Sequence, residues 1–288
     1  TLTNLTIQLS NIPGKERIKI IWHGGEPLLM GLDFYQEVVD IQQKTSNEIK
    51  IENSVQTNAT LIDEKFLDFA ERYEFHIGSS IDGPEEIHNL TRVYKNGRGS
   101  FQDVWTGIQM IRSRNRDLEK RSYRNGTSRH LGGGTITVLS RKNISRLKEI
   151  YYFFKENEMP IKINPLVPSG NAKEKYEELG IGPSEYGDSL ISLFDLWFQE
   201  EEVGIDVDPL SNILKDLVTG IPTGCSFSKS CRENFISVGP QGDVYPCGRF
   251  DGTREYHLGN VNETNLMNII NSDKHSFMKK RVIETVSE

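Results

Sequence analysis

Cysteine is scarce in this chain of 288 residues: there are three, and all lie between Cys225 and Cys247. An odd number confined to one short stretch excludes the disulfide framework of a small secreted domain, and leaves metal or cluster ligation, or chance. Long apolar runs are absent as well, none approaching the ~20 residues of a membrane span. Thr1 to Ser10 alternate polar and apolar side chains without a basic start, which excludes a secretory signal. Basic excess is missing too: the formal net charge is −7, which argues against nucleic acid as the main partner. From these absences a soluble, intracellular protein is expected, with the cytoplasm as its location and no membrane association. In that setting the sequons at Asn58 and Asn89 carry no information about glycosylation.

Short β-branched runs alternate with longer helical patterns. Strands are expected at Ile18 to Trp22, Ile49 to Val55, Phe75 to Ile81, Thr135 to Leu139 and Ile161 to Leu166. Between them lie amphipathic helices at Leu32 to Lys44, Asp63 to Tyr73, Phe101 to Ser113, Ser145 to Asn157 and Ser184 to Glu202. Repetition at this spacing implies a parallel sheet with crossover helices, an α/β fold. Five such units suit either an open doubly wound sheet or a partial barrel, and in both the chemistry collects at the C-terminal strand ends. The segment from Arg112 to Gly134 reads as an arginine-rich insertion closed by three glycines. It is expected to be a solvated loop, with a landing strip for an acidic peptide as the functional alternative. From about Thr219 glycine and proline punctuate a short-stranded segment that holds every cysteine. This marks a separate small module, with a boundary within 204–222 and a division near 1–215 and 216–288.

Three polar words follow three of the strands. His23-Gly24-Gly25-Glu26-Pro27 combines glycines that admit a close ligand with a carboxylate that could bind an ammonium group, although alone it is a common strand-to-helix turn. Gln56-Thr57-Asn58 ends the next strand. Ser80-Ile81-Asp82-Gly83-Pro84, followed by His88 and Arg92, joins a strong turn signal to a hydroxyl and a guanidinium suited to a carboxylate. His88 reads as a helix-start residue rather than a general base.

In order and spacing, WHGGEPLL, SVQTNATLID and SIDGPEEIHNLTR resemble the radical S-adenosylmethionine (SAM) enzymes of the SPASM group, which include anaerobic sulfatase-maturing enzymes and ribosomal-peptide maturases. The resemblance runs from about Lys19 to Val261 and implies a partial (β/α)6 barrel with a small cysteine-containing SPASM module. Carried over residue by residue, Gly24, Gly25 and Glu26 match the motif that holds the methionine amino group. Ser80 and Arg92 match positions contacting the carboxylate and ribose region, and Gln56 and Asn58 line the same pocket. Leu166 matches an apolar residue packed near the adenine, and reads equally well as a plain barrel-core leucine. His23 stands where sulfatase-maturing members have glutamine. The segment CSFSKSCRENFISVGPQGDVYPCGRF, then LGNV, looks like the opening of a SPASM module. Cys225, Cys231 and Cys247 are its expected ligands for an auxiliary [4Fe–4S] cluster, against the alternative of three inert thiols.

The family's CxxxCxxC loop has no counterpart here, nor do the later SPASM cysteines, so the sequence is expected to be cut at both ends and, as given, unable to cleave SAM. The resemblance implies that the full protein cleaves SAM reductively at a [4Fe–4S] cluster and takes a hydrogen atom from a peptide side chain. A reducing partner such as flavodoxin or ferredoxin would supply electrons. Sulfatase-maturing members carry an aspartate base directly after the cysteine that matches Cys247, and here that position is Gly248. Glycine supplies no proton acceptor. The expectation is therefore a peptide maturase that forms a side-chain cross-link, with sulfatase maturation second. A non-catalytic peptide-binding scaffold and a cluster-free barrel lyase are the rivals from other classes.

Overall fold

In the computed structural model, which describes residues 1–45, 49–125, 129–199, 204–222 and 235–279, burial along the strands alternates with period two. Val55 and Thr57, Ile77 and Ser79, then Thr135, Thr137 and Leu139 are buried in turn, while Gln56, Ser80, Ile136 and Val138 between them are only half-buried. One sheet face is thus packed out and the other is left for a site.

Six strands form this sheet: β1 (Arg17–Trp22), β2 (Lys50–Thr57), β3 (His76–Ser80), β4 (Gly132–Leu139), β5 (Ile161–Pro165) and β6 (Val207–Asp208). Their order in space is their order in the chain, and β2 to β6 pair in parallel. A doubly wound sheet would reverse its strand order at a switch point. Stepping always to the same side instead gives a curled half-barrel of six strands. The helices are α1 (Leu2–Leu9), α2 (Leu32–Thr45), α3 (Glu64–Arg72), α4 (Glu85–His88), α5 (Phe101–Asn125), α6 (Leu147–Glu156), α7 (Tyr176–Leu179), α8 (Pro183–Phe198), α9 (Leu210–Thr219), α10 (Leu266–Ile270) and α11 (Asp273–Lys279). Among the described residues no helix is long and apolar enough to cross a membrane.

The stretch from Arg112 to Gly134 corrects the expectation of a loop. Helix α5 runs on to Asn125, and β4 begins at Gly132. The continuation was hidden because only Asn115 and Leu118 are buried in its last turns. Two of its arginines pair with α3: Arg114 reaches Glu64, Asp68 and Glu71, and Arg121 reaches Glu71. These pairs tie the later turns of α5 to α3. Buried Asn115 accepts from the Leu131 amide and donates to the Gly132 carbonyl, which pins the start of β4. Gly132 sits at φ +92°, and a Cβ there would meet the Ile77 carbonyl oxygen at 2.8 Å. The glycine triplet therefore serves a register slip between β3 and β4 rather than a flexible tip. Strand β6 and helix α9 fall inside 204–222, where the sequence pattern showed only a boundary.

The chain divides into two compact units, Lys19–Tyr35 with Glu52–Ser211, and Thr1–Ile18 with Gln36–Ile51 and Asn212–Glu288. Within the second, the antiparallel strands β7 (Ser237–Val238), β8 (Asp243–Tyr245) and β9 (Gly259–Asn260) form a small sheet. Asn4 and Gln8 of α1 donate to the Val261 carbonyl at 2.7 and 2.9 Å, and Gln8 also accepts from the Leu266 amide.

Candidate functional site

The three polar words lie at the C-terminal ends of β1, β2 and β3, and side-chain hydrogen bonds link the first to the second and the second to the third. Gly24, at φ +110°, and Gly25 turn the chain after β1, and a Cβ on either would touch nothing within 4 Å. Glu26 caps the short 3₁₀ turn Pro27–Met30, accepting from the Leu28 amide at 3.0 Å. The same oxygen accepts from the Thr57 hydroxyl at 2.7 Å, and the other accepts from the Asn58 amide at 2.7 Å. One carboxylate thus locks the end of β1 to the end of β2. Beneath it, buried Tyr35 donates to the Pro27 carbonyl at 2.9 Å, and burial, then the Glu26 charge, hold its phenol protonated well beyond the usual range.

Asn58 turns its side-chain oxygen to the Thr60 amide and hydroxyl, forming a local turn. Gln56, on the half-buried face of β2, donates to the Ser80 hydroxyl at 3.2 Å and lies over Gly78, where a Cβ would meet its side-chain oxygen at 2.3 Å. Leu166 follows β5, its amide bonded to the Leu139 carbonyl at the end of β4, and its side chain is half-buried. His23 is exposed and accepts from the Gly24 amide.

Arg92 has a partner that the sequence reading left in a turn. Its Nε and Nη2 donate to the Asp82 carboxylate at 2.6 and 3.0 Å, and Asp82, only 2% exposed, also accepts from the Val138 amide of β4. Thr57 was missed likewise. The available signal was an acid at a strand end flanked by buried apolar residues, with an arginine ten positions on. His88 corrects its expected role: it closes the short helix α4 rather than starting one, and is fully buried. Its Nδ1 accepts from the Asp82 amide, so Nε2 carries the proton and donates to the Ser100 hydroxyl at 3.0 Å. Ser100 passes its own hydrogen to the Arg92 carbonyl at 2.9 Å.

Burial pushes the His88 imidazole down to about 4, with Asp82 opposing and Arg92 reinforcing the shift. An unfolded histidine titrates at about 6.5, so below that the unfolded chain binds a proton that the folded one refuses. Stability is whole above about pH 6.5 and falls as the pH drops toward 4, with about 2 kcal/mol lost by about pH 5. Urea unfolding across this range should show the loss in the wild type and a shallower slope in His88→Gln. Equal slopes would refute a neutral His88.

What these groups leave open defines the chemistry. A carboxylate has about four lone-pair directions, and Glu26 uses three, leaving one for a cation. Ser80 accepts from Gln56 and keeps its own hydrogen to give. Arg92, paired side-on, keeps the outer Nη1–Nη2 edge, the fork that grips a carboxylate. One acceptor for an ammonium and two donors for a carboxylate complement the head group of a free α-amino acid.

In the small sheet, Cys247 follows β8, half-buried, and starts the 3₁₀ turn Gly248–Phe250. Cys225 and Cys231 lie outside the described residues. Among the described residues no group of metal-ligating side chains gathers. Asp243 opens β8; its carbonyl accepts from the Gly239 amide at 2.8 Å across the hairpin turn, and its carboxyl receives bonds from Asn260 and His257 at 3.0 Å each, which hold it below the usual range and tie β8 to β9. Asp251 accepts from Ser237 at 3.0 Å, and a Cβ on Gly248 would lie 3.9 Å from that carboxylate.

Residues 8–144 match the model of the radical SAM superfamily, and residues 229–285 match that of an iron–sulfur cluster-binding domain. A cysteine-type anaerobic sulfatase-maturating enzyme of Clostridium perfringens is 30% identical over 264 residues, covering 90% of this chain and 66% of the relative. A serine-type enzyme of Bacteroides thetaiotaomicron is 27% identical over 277 residues, covering 91% of this chain and 63% of its own. The chain therefore spans slightly under two thirds of the length of these curated relatives. A solved structure of histidine-tagged anSMEcpe with bound AdoMet superimposes with a TM-score of 0.79 at 25% identity, over 96% of this chain and 69% of that one. Native anSMEcpe with bound AdoMet and Cp18Cys peptide shares the fold at a TM-score of 0.82 and 24% identity, over 100% and 76%.

Proposed function

We propose that the chain belongs to the radical SAM superfamily, whose model matches residues 8–144, and that it is part of an enzyme that binds SAM at the β1–β3 rim and removes hydrogen from a peptide or protein substrate. The observation that carries this reading is the zwitterion complement of the rim. Glu26, with the backbone of Gly24 and Gly25, takes the ammonium of the methionine moiety. Ser80 and Arg92 take its carboxylate, Gln56 and Asn58 wall the pocket, and Leu166 lies beside the adenine. The open space over both glycines fits such a group, since no side chain occupies it. SAM held there would supply radical chemistry, and the residues of this chain would fix where it acts; positioning of that kind is a large share of catalysis.

We assign the small module, in the division 1–215 and 216–288, to an auxiliary [4Fe–4S] cluster held by Cys225, Cys231 and Cys247. Thiolates are the natural ligands of such clusters. An electron donor of the flavodoxin or ferredoxin class completes the scheme. Within the class two outcomes are open to the site. Gly248 removes the carboxylate from the position after Cys247 and supports cross-linking; the named relatives support oxidation of a sulfatase cysteine or serine to formylglycine.

Anaerobic reconstitution of the full-length protein with iron and sulfide tests the proposal. The expected result is a broad visible absorption, reduced in Cys247→Ala, and production of 5′-deoxyadenosine on reduction with SAM. Mass spectrometry of offered peptides then separates the outcomes: loss of two hydrogen atoms with fragments that stay joined marks a cross-link, and conversion of a sulfatase-motif cysteine to an aldehyde marks maturation. A reconstituted protein that takes up no cluster and binds no SAM would overturn the proposal.

A further inference from the structure

We propose that Asp82 is a positioning residue that holds Arg92 side-on, so that the outer edge of its guanidinium is presented to the carboxylate of the bound amino acid. This rests on the reading of the rim as a SAM site. Arginine has five N–H groups in a planar fork. The Asp82 carboxylate engages Nε and Nη2 at 2.6 and 3.0 Å, which uses the long side of the plane and leaves the Nη1–Nη2 end free. Asp82 is itself immobile: its side chain accepts from the Val138 amide on β4 at 2.9 Å, its amide is bound by His88, and it is 2% exposed. The other end of Arg92 is fixed too, since its carbonyl accepts from the Ser100 amide and hydroxyl at 3.2 and 2.9 Å and its amide reaches the His88 carbonyl at 3.0 Å. A side chain with four rotatable bonds is thereby clamped at both ends beside a half-exposed rim, the expense of immobilising it met on folding rather than on binding.

Charge and geometry make opposite forecasts, which is what makes the inference testable. Asp82 cancels the charge of Arg92, so on Coulomb attraction alone its removal should tighten binding of an anionic group. Positioning requires the reverse. In the full-length holoenzyme, calorimetry would compare S-adenosylhomocysteine, which carries the amino-acid head group, with 5′-methylthioadenosine, which lacks it. Asp82→Asn is expected to weaken S-adenosylhomocysteine about 10-fold and leave 5′-methylthioadenosine unchanged. Unchanged or tighter S-adenosylhomocysteine binding overturns the proposal, and so does an equal loss for both ligands, which would mark a purely structural role. Arg92→Ala separates this from the underlying reading. If it too fails to discriminate the ligands, the rim does not hold the carboxylate; if it discriminates and Asp82→Asn does not, only the positioning role falls. Should Asp82→Asn fail to fold, Arg92→Lys keeps the charge without the fork and must show the same selective loss, or the proposal is refuted.

Discussion

Glu26→Gln is expected to weaken S-adenosylhomocysteine about 100-fold, because the change removes a charge-assisted bond and breaks the cradle that presents it. In the wild type three donors converge on the Glu26 carboxylate: the Leu28 amide, the Thr57 hydroxyl and the Asn58 amide. A glutamine has one acceptor oxygen and one donor nitrogen in the same space, so it must set N–H against N–H at one of these contacts. The Asn58 amide, the lone donor to its own carboxylate oxygen, is the one exposed to that mismatch. The end of β2 would shift, carrying Asn58 and the neighbouring Gln56 that bonds Ser80. Glu26→Ala removes all three bonds and should also cost about 3 kcal/mol of stability in urea unfolding. 5′-Methylthioadenosine, without the ammonium group, should lose less affinity than S-adenosylhomocysteine in both variants. Wild-type affinity in Glu26→Gln would sink the assignment of this carboxylate.

The legible parts of this molecule were those in which local sequence and tertiary role agree. Strands β1 to β5 lie within a few residues of their expected ranges because their burial alternates with the pleat, and α3 because Asp63 caps it by accepting from the Phe66 amide. The two-residue strand β6 has no periodicity to read, and its place is set by pairing with β5. The last turns of α5 looked like a loop because their stabilising contacts are ion pairs to α3, which leave no apolar stripe. At the rim, glycine, serine and arginine announced themselves by type and by order. Asp82 did not, since Asp-Gly-Pro is a turn signal whether or not its carboxylate is buried on an arginine. Which partner a charged side chain takes is a fact of tertiary packing, and a single sequence does not carry it.

Gly107→Ala should destabilise the fold by about 3 kcal/mol or more, even though alanine is the better helix former by about 1 kcal/mol. Gly107 lies inside α5, and a Cβ built on it falls 2.1 Å from the Ala59 carbonyl oxygen, well inside the 3.0 Å below which Cβ contacts essentially never occur. That oxygen is backbone, so no rotamer change relieves the clash. Ala59 cannot withdraw easily: it is fully buried, sits at φ +63°, and its amide is held by the Thr57 hydroxyl at 3.0 Å. The same hydroxyl is the one that Glu26 accepts. Pressure from α5 therefore passes through Ala59 to Thr57 and reaches the carboxylate proposed to hold the ammonium group, without Gly107 touching any ligand. The variant should lose S-adenosylhomocysteine affinity along with thermal stability. Combined with Glu26→Ala, it should cost less binding than the sum of the two single changes, since both act on one turn. Full additivity in that double-mutant cycle would show that α5 and the rim are independent.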